Sequence, residues 1–399
     1  MMKINVFRGQ NQIGGSIIEV STDNTKIVFD AGINLEESEK VEIPQIDGLF
    51  CGEKKYDAVF VSHYHSDHMG LLNHIVKGIP IYMGKRAYKI VEAANDYRGT
   101  QCVFSPKFIY EDKPIQINDV RITPVLCDHS AFDSYMFLIE AEEKKILYSG
   151  DFRANGRSDY SNLLSKIPFV DTLIVEGTTL SREDLVQNIE EETLEQIAVN
   201  ALSNHNGPAF IMMSAMNIDR LITLSNAAKQ TGRIFLQDIY TAKIAKASEE
   251  SCLINDKNVR VFVTGGDKQY RMLSEFENVK IGKTAVSKEK FLMCIRPSMK
   301  NYLSKLNETC SFEDGILFYG MWKGYLERDD MKKFADFMKS KGVKLHILHT
   351  SGHADTMTLE KLINDVSPKA IIPVHTENAG WFSKYNNIEI VNDCKNYIV

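Results

Sequence analysis

Short apolar runs in this chain repeatedly stop on an ionisable side chain. KIVFD ends at Asp30, YDAVFVSH at His63, VRITPVLCDH at His129, KKILYSGD at Asp151, TLIVEG beside Glu176 and AIIPVH at His375. Each run is rich in Val, Ile, Leu or Phe, as strands are, and each breaks on a carboxylate or an imidazole. In layered α/β proteins, strand ends converge on one rim where ligands and catalytic groups collect. Residues spread over most of the chain are therefore expected to meet in one site.

The densest of these breaks is VSHYHSDHMG, from Val61 to Gly70, which holds His63, His65, Asp67 and His68. A tight HxHxDH loop can present alternate imidazoles to one cation and the Asp and final His to another. Neutral imidazole with carboxylate suits zinc, and also manganese or iron. Four side chains do not close two metal sites, so further ligands are needed. His129, Asp151 and His375 are the natural candidates, because each stands at a strand end.

Composition sets outer limits. With 399 residues, 44% of them hydrophobic and 25% charged, the chain has the make-up of an ordinary globular protein of one elaborate unit or two packed ones. No run approaches the roughly 18 uninterrupted apolar residues of a membrane span, so no membrane partner is expected. MMKINVF reads as a first strand rather than a signal peptide. The seven cysteines form no CxxC pair, which argues for a reducing, cytoplasmic setting. A formal net charge of −6 gives no general pull toward nucleic acid, so any polyanion site must be local, held by metal ions and a few arginines.

Between about residues 181 and 341 the pattern changes to alternating helices and strands: LVQNIEEETLEQIAVNAL, PAFIMMS, NIDRLITLSNAAKQTG, RIFLQD and VRVFVTGG. That alternation predicts a parallel-sheet α/β layer. It is expected to be an insertion (181–341) into a first domain formed by 1–180 and completed by 342–399, where VKLHILHTSGH resumes the strand-then-ligand habit.

The set HYHSDH, CDHS, YSGD and PVHTE resembles the metallo-β-lactamase-fold hydrolases. VEGTTL, SGHA and PVHTE, with an α/β unit between the first two, look like the β-CASP nuclease branch, and within it ribonuclease J, over nearly the full length. The resemblance implies a four-layer αβ/βα sandwich with an inserted β-CASP domain. It makes His63, His65 and His129 ligands of one metal and Asp67, His68 and His375 ligands of the other, with Asp151 bridging. Asp30 matches the family's first acidic position and is expected to orient the histidine loop from behind the ligands. Arg153, in GDFR, either supports the site or caps a turn. Glu176, His353 and His375 match the successive β-CASP motifs. The implied chemistry is phosphodiester hydrolysis of RNA, exo- or endonucleolytic, by a hydroxide bridging two divalent ions, zinc first and manganese second. Asp67 or Glu176 would manage the proton or orient a ligand, and His353 would contact a phosphate oxygen or protonate the leaving group. The alternatives are single-stranded DNA as substrate, hydrolysis of a small ester, thioester or lactam, and a non-catalytic scaffold. The filled ligand positions count against the last. The chain stops soon after the third β-CASP motif, so the usual C-terminal domain of ribonuclease J is not expected.

Two segments read as phosphate cradles. MSAMNIDR follows a strand and opens a helix, offering Ser214, Asn217 and Arg220, while HTSGH offers Thr350, Ser351 and Gly352. Helix capping by Asn217 and a tight turn at Gly352 are the competing readings. MSAMNIDR departs from the branch's more usual serine–asparagine arrangement. In MWKGYLE, Trp322 and Tyr325, with Tyr319, either stack on a base or pack in the core, and core packing is expected. His74, His205, His346 and His349 fall outside the ligand pattern.

Overall fold

The computed structural model describes residues 1–35, 41–181 and 187–399. Two seven-stranded mixed sheets face each other. The first runs, in spatial order, Tyr397–Ile398, Lys3–Arg8, Ile17–Ser21, Lys26–Phe29, Ala58–Phe60, Ile81–Gly84 and Lys107–Ile109. The second runs Glu389–Ile390, Ala370–Val374, Thr172–Glu176, Lys144–Tyr148, Ser134–Ala141, Val120–Cys127 and Ile115–Ile117. Side-chain alternation explains the layering. Ile27 and Phe29 point between the sheets while Val28 points outward, and Ile146 and Tyr148 point inward while Leu147 points outward.

The inter-sheet core is aromatic at its centre. Phe29, Phe60 and Phe137 lie with ring centroids 5.3 to 5.6 Å apart, and Tyr148 sits 5.9 Å from Phe29. Each such buried ring stabilises the sandwich by about 1.5–3 kcal/mol. Outside the first sheet packs the helix Lys85–Arg98, through Ala87, Ile90, Val91 and Ala94. Outside the second pack Tyr160–Ser165 and Thr356–Val366, through Leu163, Leu359, Leu362 and Ile363. The four layers of the expected sandwich are therefore present.

A third sheet is wholly parallel, in the order Val259–Phe262, Ile234–Asp238, Phe291–Ile295, Ala209–Met212, Ile316–Tyr319 and Lys344–Ile347. The helix read from LVQNIEEETLEQIAVNAL is Glu191–Ser203, and residues 185 and 186 of that reading lie outside the described residues. One face of this sheet, with Ala209 and Ile211, joins the same apolar cluster as Ile90 and Val91 of the first domain. The other, with Phe210 and Met212, packs on a separate cluster.

The expected return to the first domain at residue 342 needs correction. Lys344–Ile347 pairs in parallel with Ile316–Tyr319 and is the edge strand of the inserted sheet. A run of strand residues followed by a ligand looks the same whichever sheet it joins. Pairing partners, not the run itself, decide the layer. The chain re-enters the first domain only beyond this strand.

Candidate metal centre

At the rim where the two mixed sheets end, left-handed backbone turns the chain sharply: Asp30 has φ +61°, Gly150 +51° and His375 +51°. For Asp30 and His375 this is an uncommon conformation, and both carry chemistry. The HxHxDH loop leaves the strand Ala58–Phe60 and closes into the short helix Ser66–Met69. Gly32 permits the close approach of Asp30's own turn to this loop, since a Cβ there would stand 1.7 Å from the Asp67 carbonyl oxygen.

Four of the imidazoles share one design. His63 Nδ1 lies 3.0 Å from Ser62 Oγ, and His68 Nδ1 donates to Asp30 Oδ2 at 2.7 Å. His375 Nδ1 lies 2.8 Å from Thr178 Oγ1, and His129 Nδ1 donates to the Gly352 carbonyl. With each Nδ1 anchored, each Nε2 turns toward a common centre. His63 Nε2 and His129 Nε2 both stand 3.1 Å from His65 Nδ1, and His375 Nε2 stands 3.0 Å from Asp67 Oδ2. Asp151 Oδ2 lies between these groups, 3.7 Å from His63 Nε2, 3.9 Å from His129 Nε2, 3.3 Å from His68 Nε2 and 3.8 Å from His375 Nε2.

These donors fit divalent cations. The ligand-type atoms of His63, His65, His129 and Asp151 lie within 4.8 Å of one another, as do those of Asp67, His68 and His375. Burial and the neighbouring imidazoles hold His63 and His129 well below the usual histidine range, and burial lowers His65 to about 4. All three therefore present lone pairs at neutral pH. Burial also works against a charged His68, but Asp151 and Asp30 outweigh it and favour positive charge at this position, which a divalent cation on Nε2 would supply in place of a proton. His68 Nε2 and Asp151 Oδ1 are buried without a hydrogen-bond partner among the described residues. Buried polar atoms left in that condition are costly unless something pairs with them, and a cation does.

Behind the ligands, Asp30 accepts from the Ser62 amide at 2.7 Å, from Ser62 Oγ at 2.7 Å and from the Tyr148 hydroxyl at 2.6 Å. Such supports fix ring orientation and tautomer. Ser62, Tyr148 and Thr178 are functional neighbours that the sequence reading passed over, although all three sit within the quoted motifs VFVSH, LYSGD and VEGTTL. Glu176 accepts from the Phe152 amide, from Thr178 Oγ1 at 2.6 Å and from His353 Nδ1 at 3.1 Å. His353 Nδ1 is also 3.5 Å from Asp151 Oδ2.

Arg153 caps no turn. It is buried, with Nε 2.6 Å from Asp128 Oδ1, Nη1 3.2 Å from Glu191 Oε1 and Nη2 2.6 Å from Asp219 Oδ2. It therefore ties the residue preceding His129 to the inserted domain. A second tie is Tyr64, whose hydroxyl donates to the Met216 carbonyl at 2.6 Å and accepts from the Phe132 amide at 2.7 Å.

The expected phosphate cradle in MSAMNIDR is largely committed elsewhere. Arg220 is fully buried, with Nε and Nη2 on Glu191 and Nη1 on the Gly320 and Leu348 carbonyls. That correction follows from burial: a fully buried guanidinium whose three nitrogens are all engaged, by a carboxylate and two carbonyls, is not available to a substrate. Asn217 caps the helix Ile218–Gln230 by accepting from the Arg220 amide, and Ser214 Oγ accepts from the Met216 amide at 3.3 Å. In HTSGH, Thr350 Oγ1 accepts from Asn155 Nδ2 at 3.0 Å, Ser351 Oγ accepts from the His353 amide at 3.1 Å, and Gly352 holds His129. This segment shapes the centre through its own hydrogen bonds. Tyr319 is core, but Trp322 is 46% and Tyr325 44% exposed, so core packing does not hold for those two. No described helix is long and apolar enough to cross a membrane.

Residues 12–187 match the metallo-beta-lactamase superfamily model, and residues 341–385 match the model of a Zn-dependent metallo-hydrolase RNA specificity domain. Ribonuclease J of Mycoplasma genitalium is 23% identical over 98% of this chain and 70% of its own length. Ribonuclease J of Mycoplasma pneumoniae is 22% identical over 94% of this chain and 68% of its own. An RNase J-like protein of Methanocaldococcus jannaschii is 25% identical over 60% of this chain and 58% of its own. A solved protein of unknown function from Enterococcus faecalis V583 shares the fold, with a TM-score of 0.80 over 98% of this chain and 97% of that one at 20% identity. With the sandwich, the inserted parallel sheet and the histidine–aspartate rim already in view, these matches fit a metallo-β-lactamase-fold protein of the ribonuclease J-like β-CASP kind.

Proposed function

We propose that this chain hydrolyses RNA phosphodiester bonds at a centre of two divalent cations, zinc ahead of manganese. His63, His65 and His129 would hold one, Asp67, His68 and His375 the other, and Asp151 both. The observation carrying this reading is the position of Asp151 Oδ2, within 3.3 to 3.9 Å of an imidazole nitrogen from each group. One carboxylate serving two donor sets is the arrangement that a dinuclear site needs. The RNA specificity domain model and the ribonuclease J relatives support RNA as the substrate.

When bound, such cations polarise a phosphoryl oxygen and acidify a coordinated water. The chain's own residues supply the rest. Burial raises the Asp67 carboxyl, but its bond to His375 and the nearby His68 outweigh this and hold it well below the usual carboxylate range. It thus stays ionised at neutral pH and accepts a hydrogen bond from the attacking water. Glu176 spends its oxygens on Phe152, Thr178 and His353, which makes it a positioning group rather than a base. With Nδ1 held by Glu176 at 3.1 Å, the proposed role of His353 is to donate a proton to the leaving oxygen through its other nitrogen.

His353→Ala is expected to lower kcat by about 10²–10⁴-fold, the usual worth of a positioned general acid, while both cations remain bound. Steady-state rates paired with metal analysis check it, and a variant that keeps wild-type kcat would remove His353 from the reaction. The substrate class is tested by incubating the metal-loaded protein with 5′- and 3′-end-labelled RNA, matched single-stranded DNA and a panel of small esters, thioesters and lactams. Cleavage of RNA that stops with chelator is expected. The two labels separate the proposed exonucleolytic from endonucleolytic action. Turnover of a panel compound with RNA left intact overturns the reading.

A further inference from the structure

We infer that Tyr64 is a positioning residue whose hydroxyl sets the inserted domain against the three-histidine side of the centre, and so governs hydrolysis of an RNA strand but not of a small phosphodiester; this rests on the RNA reading above. The residue stands between His63 and His65, inside the ligand loop itself. Its ring meets that of His65 edge-on, with centroids 5.9 Å apart and planes at 89°. It is only 4% exposed, and it lies in the apolar cluster that joins Val61 and Ala131 of the first domain to Ile211, Ile218 and Leu221 of the inserted one. A phenol buried in such a place has to satisfy its oxygen. This one does so twice, donating to the Met216 carbonyl at 2.6 Å and accepting from the Phe132 amide at 2.7 Å.

The two partners lie in different domains and carry different weight. Phe132 follows His129 closely, but that loop has other supports: Asp133 accepts from the Arg86 and Ala87 amides at 2.8 and 3.1 Å, and Ser134 Oγ donates to the Ala131 carbonyl at 2.7 Å. Losing the hydroxyl therefore leaves His129 in place. Met216 precedes Asn217, the cap of the helix Ile218–Gln230. The first turn of that helix is tied to the first domain again through Asp219, which receives Arg153 Nη2 at 2.6 Å. Both arms start beside metal ligands, Tyr64 next to His65 and Arg153 just past Asp151, and both end on the same helix start. Before that start lies the segment from Ser214 to Asn217, of which Ser214 is exposed. Its separation from the ligand loop is thus fixed by the length of one phenol. A polymer long enough to touch the cations and this segment is placed by both, whereas a short phosphodiester is placed by the cations alone. A misplacement of about 1 Å can cost a reaction about 10²-fold, so loss of the spacer is expected to tell on the polymer.

The test uses the full metal-loaded chain with a fluorogenic single-stranded RNA and, beside it, bis(p-nitrophenyl) phosphate. Tyr64→Phe keeps the ring and its packing and removes the hydroxyl. It should lower kcat/KM for RNA by about one to two orders of magnitude, while metal content, circular dichroism and turnover of the small diester stay close to wild type. Placing p-aminophenylalanine at position 64 restores a donor to the Met216 carbonyl and should recover most of the RNA turnover; this second protein keeps the idea refutable where Tyr64→Phe folds poorly. An equal proportional loss on both substrates would mean that the hydroxyl serves the fold or the cations alone, and would overturn the inference. Unchanged RNA turnover in Tyr64→Phe, or no recovery with the amino side chain, would do the same. If the wild-type chain hydrolyses the small diester and leaves RNA intact, the RNA reading itself falls and takes this role of Tyr64 with it, an outcome visible before any variant is made.

Discussion

Asp151→Asn is expected to strip the centre of bound cations and to lower RNA hydrolysis by about three orders of magnitude with the fold retained. The size follows from what a cation pair contributes to the transition state, several kcal/mol, at about 1.36 kcal/mol per tenfold in rate. The residue is singled out by geometry, since its Oδ2 is the atom that approaches His63, His68, His129 and His375 together. The amide keeps the shape and removes the charge, so the change acts on the cations and not on packing. Asp67→Asn makes the complementary case: it touches only the group with His68 and His375 and should leave the three-histidine side loaded. Metal content by elemental analysis, read beside kcat/KM and circular dichroism, separates the two. An Asp151→Asn protein that keeps two cations and wild-type turnover would dissolve the idea of a shared carboxylate.

How far the sequence reveals this centre depends on how local each signal is. His63, His65, Asp67 and His68 share one loop, and Asp30, His129, Asp151, Glu176 and His375 each end a hydrophobic run, so pattern alone nominates them. The β-sandwich was implied by the family resemblance rather than by the runs themselves; in the structure their alternate residues divide between two clusters, as Val28 and Phe29 do. Arg220 is a different case. Its partner Glu191 lies 29 residues away on another helix, and no spacing rule links the two. A helix-opening arginine that is buried therefore looks the same in sequence as one that faces a phosphate. Lys344–Ile347 fails for a related reason, because strand character is local and sheet membership is not. Trp322 was expected in the core and is 46% exposed, because its exposure depends on the turn that ends the strand Ile316–Tyr319, which hydrophobicity does not encode.

The second large effect lies in the buried ion network between the domains. Glu191 is fully buried, with Oε1 on Arg153 Nη1 and Arg220 Nη2 at 3.2 and 3.0 Å, and Oε2 on Arg220 Nε and Thr223 Oγ1 at 3.1 and 3.0 Å. Glu191→Ala leaves two buried guanidinium groups short of a partner, which typically costs about 3–5 kcal/mol. A fall of roughly 5–10 °C in Tm is expected for a chain of this size. The pH dependence distinguishes lost charge from lost packing. Burial raises the Glu191 carboxyl, but Arg220 and Arg153 outweigh it and bring it from 4.5 down to about 2. A carboxylate depressed on folding contributes stability that is fully present above its unfolded value and is lost as pH falls through the folded one. The gap in stability between wild type and Glu191→Gln should therefore be level above about pH 5 and close between about pH 4.5 and 2. Denaturant melts across that range measure it, and a gap that stays constant down to pH 2 would mean that the ion pairs carry none of the stability. Because Arg153 also grips Asp128, next to His129, the same variant should loosen the three-histidine side of the centre, so that metal affinity falls together with Tm.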